Sequence, residues 1–269
     1  MNTRLVRRAR FVPMIAALAL VLAACGDDEG ESTASSAPAE SSAPTDAPAV
    51  TDAPAATDAP PATEAPGIAP GPLTGTFSIV AADCAAGAPA SGSYFRMIQG
   101  GGTLADGPYV ANADSTCADQ TYSALAPGTV GLVTGSFQPQ PAEPFDAAGN
   151  GLADAIVAPT KFFGANFAVS TNETDPASGA TVAAPTITLA ADGSLIGDLR
   201  AVSVAWNGQQ FNQGSPKPDD SRPGLTTDLS GSLDPVTGEF VIEWISQIVG
   251  GPFDGFSGVW HLEGVFTAS

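Results

Sequence analysis

Basic residues are scarce in this chain: 9 Lys and Arg stand against 28 Asp and Glu, a formal net charge of −19. That balance argues against a nucleic-acid partner, whose phosphates are neutralised by Lys and Arg. Histidine occurs once, at His261, which excludes any site built on two or three imidazoles. The three cysteines, Cys25, Cys84 and Cys117, allow at most one disulfide within the chain. After Cys25 no stretch is long and apolar enough to cross a bilayer, which takes about 20 such residues. What the chain has in quantity is 30 Gly and 24 Pro beside 43% hydrophobic residues. That mixture points to β structure with many turns, or to a low-complexity segment diluting the average.

The N-terminus reads as an address. Arg4, Arg7, Arg8 and Arg10 precede an apolar run over 11–22, and Leu22-Ala23-Ala24-Cys25 follows. A basic start, a short apolar stretch and small residues at a cleavage point make a secretory signal over 1–24. The Leu-Ala-Ala-Cys tetrad resembles the lipobox of bacterial lipoproteins. That resemblance implies cleavage before Cys25, lipidation of its thiol and acylation of its new amine. It also implies a protein lipid-anchored in the bacterial cell membrane, on its extracytoplasmic face. Stable anchoring takes more than one acyl chain.

Residues 25–72 read as a stalk. After Cys25 the segment has nine acidic residues and no Phe, Tyr, Trp, Lys or Arg. A short phrase recurs every six residues: Thr45-Asp46-Ala47-Pro48, Thr51-Asp52-Ala53-Pro54, Thr57-Asp58-Ala59-Pro60 and Thr63-Glu64-Ala65-Pro66. Such a segment has too little apolar surface to offset the entropy of ordering, so a disordered Ala/Pro/Thr/Asp stalk is expected. Proline and like charges would extend it to roughly 100–140 Å, enough to hold a domain away from a membrane.

Residues 73–269 remain for one domain, with five basic residues against nineteen acidic, a net −14. No helical apolar period stands out, whereas period-two alternation does. Phe256, Gly258, Trp260, Leu262, Gly264 and Phe266 share one face of a strand, and His261, Glu263 and Val265 share the other. Phe240, Ile242 and Trp244 alternate likewise, after a turn over 234–238 containing Pro235 and Gly238. Asp192-Gly193 marks a second hairpin, between strands at 186–189 and 194–206, and Asn207-Gly208 ends that run. Further strand candidates are 75–80, 93–98, 129–137 and 162–169, about nine in all. The expected architecture is all-β, an antiparallel β-sandwich or partly closed β-barrel with the three tryptophans as core anchors. Cys84 and Cys117 are expected to pair, since an exported chain meets an oxidising compartment and Cys25 is spoken for.

Chemistry-bearing groups are few. Asp146, Asn150 and Asp154 around Gly149 and Gly151 resemble part of a calcium loop, so calcium is a possible cofactor. Ala148 stands where a second carboxylate belongs and Val157 where a bidentate Glu belongs, and a solvated Asx turn accounts for the same residues. Glu239, Glu243 and Glu263 lie on strands and could supply the carboxylate pair of a glycoside hydrolase. Glu243 and Glu263 face away from the aromatic stripes, however, as solvated charges would, and His261 reads as a surface strand histidine. No Gly-x-Ser-x-Gly elbow is present.

The segments from Trp206 to Gly214 and from Ile248 to Gly264 resemble a domain recurring in exported bacterial surface proteins. This implies an exported β domain and carries over no catalytic residue. Three functional readings stay open: a surface binding or adhesion module for an extracellular ligand or cell-wall component, a carboxylate hydrolase, and a carrier of an apolar ligand between sheets.

Overall fold

The computed structural model describes residues 67–84 and 87–269. The signal segment, Cys25 and the stalk up to residue 66 lie outside the described residues. The described chain is all-β, apart from one 3-10 turn over Gly251–Phe253.

Its strands in chain order are β1 (Gly71–Leu73), β2 (Gly75–Ile79), β3 (Tyr94–Thr103), β4 (Gly107–Tyr109), β5 (Ser123–Ala124), β6 (Leu132–Val133), β7 (Thr160–Phe162) and β8 (Ala165–Thr171). Then come β9 (Thr186–Leu189), β10 (Ser194–Asp198), β11 (Val202–Trp206), β12 (Gln209–Asn212), β13 (Thr227–Leu233), β14 (Glu239–Gln247) and β15 (Ser257–Ala268). The larger sheet has the order β1-β9-β10-β13-β14-β15-β2-β6, with β3 also on β15 and carrying β4 and β5. It curls like half a barrel. The smaller sheet is β12-β11-β8-β7. Every pairing between named strands is antiparallel.

The alternation read from the sequence is what positions β14 and β15. They pair without a shift from Glu239↔Val265 to Gln247↔Ser257, so their apolar sets fall on one face together. One edge of β15 is shared: its first half pairs with β3 and its second half with β2. Phe240, Ile242, Trp244, Trp260, Leu262 and Phe266 point inward and are buried. Trp244 and Trp260 stack with ring centroids 5.5 Å apart. Across from them lie Phe167, Val169, Val202 and Val204 of the smaller sheet. Burying an aromatic side chain contributes a few kcal/mol at about 25 cal/mol per Å². The three tryptophans are therefore core residues, and each indole N–H is satisfied: Trp206 donates to Phe162 O, Trp244 to Gln213 O and Trp260 to Gln213 Oε1.

Several boundaries differ from the sequence reading. The fold starts before residue 73, because Ile68 donates its N–H to Pro235 O and β1 pairs with β9. The run 194–206 is two strands in different sheets, β10 and β11, separated by a corner at 199–201 that contains no Gly or Pro. The run 162–169 is a hairpin, in which Phe163 and Gly164 turn with φ of 48° and 85°. Of 129–137 only β6 is strand. Cys84 and Cys117 form the expected disulfide.

Candidate functional site

The outer face of the larger sheet brings together groups that the alternation had placed there singly. Glu243 of β14 is directly opposite His261 of β15, and His261 is directly opposite Tyr94 of β3. The two nitrogens of His261 face two carboxylates: Nδ1 is 2.7 Å from Glu243 Oε1, and Nε2 is 2.8 Å from Glu263 Oε1. Carboxylates only accept, so both contacts are hydrogen bonds at once only with the doubly protonated ring. Tyr94 stacks flat on His261 at 4.5 Å, and Tyr122 packs edge-on against Tyr94. Arg96 lies over the rings of Tyr109 and Tyr122. Burial, with Glu243 beside it, pushes the Tyr94 hydroxyl up to about 12. Of these rings only Tyr94 and His261 stack face to face.

Of the three glutamates offered as acid/base candidates, the structure gathers two. Glu243 and Glu263 flank one imidazole, whereas Glu239, opposite Val265, lines a surface groove with Glu263 without bonding the imidazole. Glu263 is tied at both oxygens, its Oε2 accepting the Gly92 N–H at 2.7 Å. The histidine side chain is only 13% exposed, far less open than a surface strand residue. Neither carboxylate is a bare solvated charge.

The calcium-loop residues form an Asx turn. Asp146 Oδ1 accepts the N–H groups of Ala148 and Asn150, and Oδ2 accepts the Asn150 side-chain amide. The Asn150 hydrogen bonds hold the Asp146 carboxyl below its usual range. Asn150 Oδ1 accepts the Asn166 N–H, and Asp154 offers its backbone oxygen to Thr129. Among the described residues no group of three His, Cys, Asp or Glu side chains is placed to hold a metal ion.

The second place of interest lies inside. At the end of the sandwich where β14 leads into β15, a narrow cleft of about 40 Å³ lies between the sheets. Phe95 and Trp260 of the larger sheet face Phe162, Phe167, Trp206 and Phe211 of the smaller one across it. Phe253, from the loop 248–256, closes the mouth against Trp206 at 5.5 Å and Phe162 at 5.9 Å. Beside it Phe163 stands 49% exposed. The one polar side chain in the lining is Gln213, itself buried. Gly258 makes room for it: a Cβ there would come within 2.3 Å of Gln213 Oε1.

Lys217 lies buried nearby. Its Nζ donates to Asn212 O, Asn212 Oδ1 and Ser246 Oγ, which accounts for all three ammonium protons. Burial pushes this amine down to about 8, against the opposing pull of Asp175 and Asp219. Ser246 is wholly buried and donates onward to Gly214 O, so the pair fixes the strap leading out of β12.

No family model, curated protein or solved structure matches this chain. The site is therefore read from its own residues. Gln213, Phe253 and Phe162 escaped the sequence reading, and Trp206 was recognised only as core. The available signal was a lone large aromatic, Phe253, set among Gly250, Gly251, Pro252 and Gly255, a composition that reads as a plain turn.

Proposed function

We propose that this protein is a lipid-anchored binding module at the extracytoplasmic face of a bacterial membrane, and that its ligand occupies the cleft between the two sheets. The observation that carries the reading is the cleft itself, a narrow aromatic-lined gap at one end of the core, with exposed Phe163 at its rim. Apolar walls with few polar groups are the common lining of small-ligand sites, and a ligand would enter this one by displacing the half-buried Phe253 ring. The lipobox at Cys25 and the acidic stalk support placement of the domain outside the membrane, on a tether. The domain's net −14 disfavours anionic partners. Of the readings open from the sequence, the cleft favours capture of a ligand between sheets over adhesion through a flat face.

A thermal-shift screen of the full chain tests it, with calcium, cell-wall glycans and neutral apolar compounds as probes. A compound that binds the folded state raises its melting temperature. A shift that disappears in Trp206→Leu supports the cleft as the site. A shift that persists unchanged in that variant places the ligand elsewhere and overturns the reading.

A further inference from the structure

Lys217 is a buried cation that, among the described residues, hydrogen-bonds only neutral oxygens: Asn212 O and Asn212 Oδ1 at 3.2 Å and Ser246 Oγ at 2.6 Å. Buried ammonium groups are ordinarily paired with a carboxylate, because the interior returns little of the hydration they lose. The acid of this network, Asp175, bonds Asn212 instead. Its Oδ1 accepts the Asn212 Nδ2–H at 2.7 Å, and its Oδ2 accepts the Ser178 N–H and hydroxyl, each at 2.7 Å. Asp175, Asn212 and Lys217 are 3%, 6% and 5% exposed. Asp175 comes from the turn 174–181 after β8, Asn212 ends β12, and Lys217 lies on the strap leading to β13.

The Asn212 carboxamide is held at both ends. Its Oδ1 accepts the Gly214 N–H at 3.1 Å beside the Lys217 contact, and its Nδ2 donates at 2.9 Å to Arg200 O beside the Asp175 contact. Two donors at one end and two acceptors at the other fix which end is oxygen. A carbonyl oxygen lies about 1.2 Å from its carbon, so Lys217 Nζ stands no more than about 4.4 Å from Asn212 Cγ, near the about 3–3.5 Å of an attacking pair. A neutral amine has two N–H donors and one lone pair. With Asn212 O and Ser246 Oγ taking the donors, the lone pair is left to the carboxamide. Burial favours that neutral form, drawing the amine down to about 8.

We propose that Lys217 and Asn212 close an amide cross-link within the folded domain. The lone pair of Lys217 Nζ forms a bond to Asn212 Cγ, and the charge that develops on Oδ1 is met by the Gly214 N–H. The Cγ–Nδ2 bond then breaks, its electron pair staying on nitrogen. Asp175 takes one proton from Nζ and passes it to Nδ2, which departs as ammonia. Amine and carboxamide thus give a secondary amide and ammonia, with no oxidant or cofactor consumed. A cavity of about 360 Å³, lined by Asp175, Asn212 and Lys217 among others, gives the ammonia a way out. The product replaces a buried charge with a neutral group and ties the end of β12 to the strap that follows it. Chains that have not reacted keep the amine and its titration. The inference is independent of the aromatic cleft.

The test follows the intact mass of the folded full chain at about pH 6 and about pH 9. Chains are expected to be lighter than the sequence by one ammonia or to become so on standing, the rate rising about tenfold per pH unit up to the amine's midpoint and levelling above it. Fragmentation of the peptide 201–222 should place the loss in a link between Asn212 and Lys217. Lys217 should also resist an amine-labelling reagent after unfolding, whereas a succinimide at an asparagine loses ammonia but leaves Lys217 open to the label. Lys217→Arg should keep its full mass, and Asp175→Asn should slow closure about a hundredfold or more. The mass and labelling of the unaltered chain decide the matter should either variant fail to fold. A mass that stays at the sequence value with Lys217 fully labelled, or an equal loss of ammonia in Lys217→Arg, overturns the cross-link. Closure at an unaltered rate in Asp175→Asn overturns proton transfer by Asp175.

Discussion

The two ends of the space between the sheets use the same residue types and reach opposite results. At the end near the 234–238 turn, Phe77 lies 5.0 Å from Phe240 and 4.7 Å from Phe266, and all three are buried. At the other end Phe162, Phe167, Phe211 and Phe253 enclose open space. The difference lies in what positions the rings. Phe77, Phe240 and Phe266 sit on adjacent strands of one ladder, with Phe266 directly opposite Phe77, so their spacing is set by strand pairing. At the open end strand pairing sets Phe95 against Trp260 and Phe162 near Phe167, but no ladder fixes the distance from one sheet to the other or to Phe253 on its loop. Aromatic content alone does not make a solid core; shared register does.

The sharpest way to break this contrast is Phe77→Ala. Truncating a fully buried Phe where neighbours cannot collapse is expected to cost about 3–5 kcal/mol, read as a lower midpoint in denaturant unfolding. A loss under about 1 kcal/mol would mean the first end is not tightly filled.

The next effect concerns the loops on either side of β3 and β4, which the Cys84–Cys117 disulfide ties together across a separation of 33 residues. Replacing both cysteines by serine is expected to cost about 3–4 kcal/mol in the chain-entropy view, with the lost protection in hydrogen exchange confined to those loops. Uniform loss of protection would show that the bond supports the whole domain instead.

Alkaline titration separates the buried amine beside the cleft from the outer face. The Lys217 amine falls from its ordinary 10.5 to about 8 in the fold. Between about 8 and 10.5 the unfolded chain therefore holds more protons, and stability rises with pH by about 2–3 kcal/mol at most, with no change from this group below 8. Tyr94 acts in the opposite sense: its hydroxyl rises from 10.0 to about 12, so the unfolded tyrosine ionises first and stability falls between those values. Melting temperatures of the full chain should pass through a maximum near pH 10. Lys217→Met should abolish the rise, and Tyr94→Phe should flatten the fall. A rise surviving in Lys217→Met would assign it to another group.

The smallest effect belongs to the open end. Phe253→Ala is expected to cost about 1 kcal/mol, because a half-buried ring bordering empty space has little packing to lose. A cost equal to that of Phe77→Ala would erase the distinction between the ends.

The sequence made the first end legible and the second invisible, for one reason. Alternation along β14 and β15 reports which face a side chain takes, so Phe240, Ile242, Trp244, Trp260 and Leu262 read as inward, and the turn at 234–238 reports the register of β14 against β13. The corner at 199–201 carries no turn residue, and Phe163 adopts a left-handed φ that bulky residues seldom take, so β10 reads as continuous with β11 across two sheets, and β7 with β8. The cleft depends on how the two sheets face one another, which no local pattern records. The partnership of Glu243, His261 and Glu263 was half legible. Their shared face is evident in the sequence but reads as solvent, whereas cross-strand pairing puts Glu243 on one side of the ring while Glu263, two residues along β15, takes the other.

Strand β15 is the last to arrive and the one on which β14, β2 and β3 all close. The smaller sheet and the β1-β9-β10-β13-β14 part of the larger one can pair without it, but β2 and β3 join that sheet only through residues 257–268. Until β15 forms, β2 and β3 have no long partner, and the inward rings of β14 remain uncovered. The join between the strands that open the described chain and the rest of the larger sheet is thus its longest-range pairing, the kind that costs most loop closure on folding.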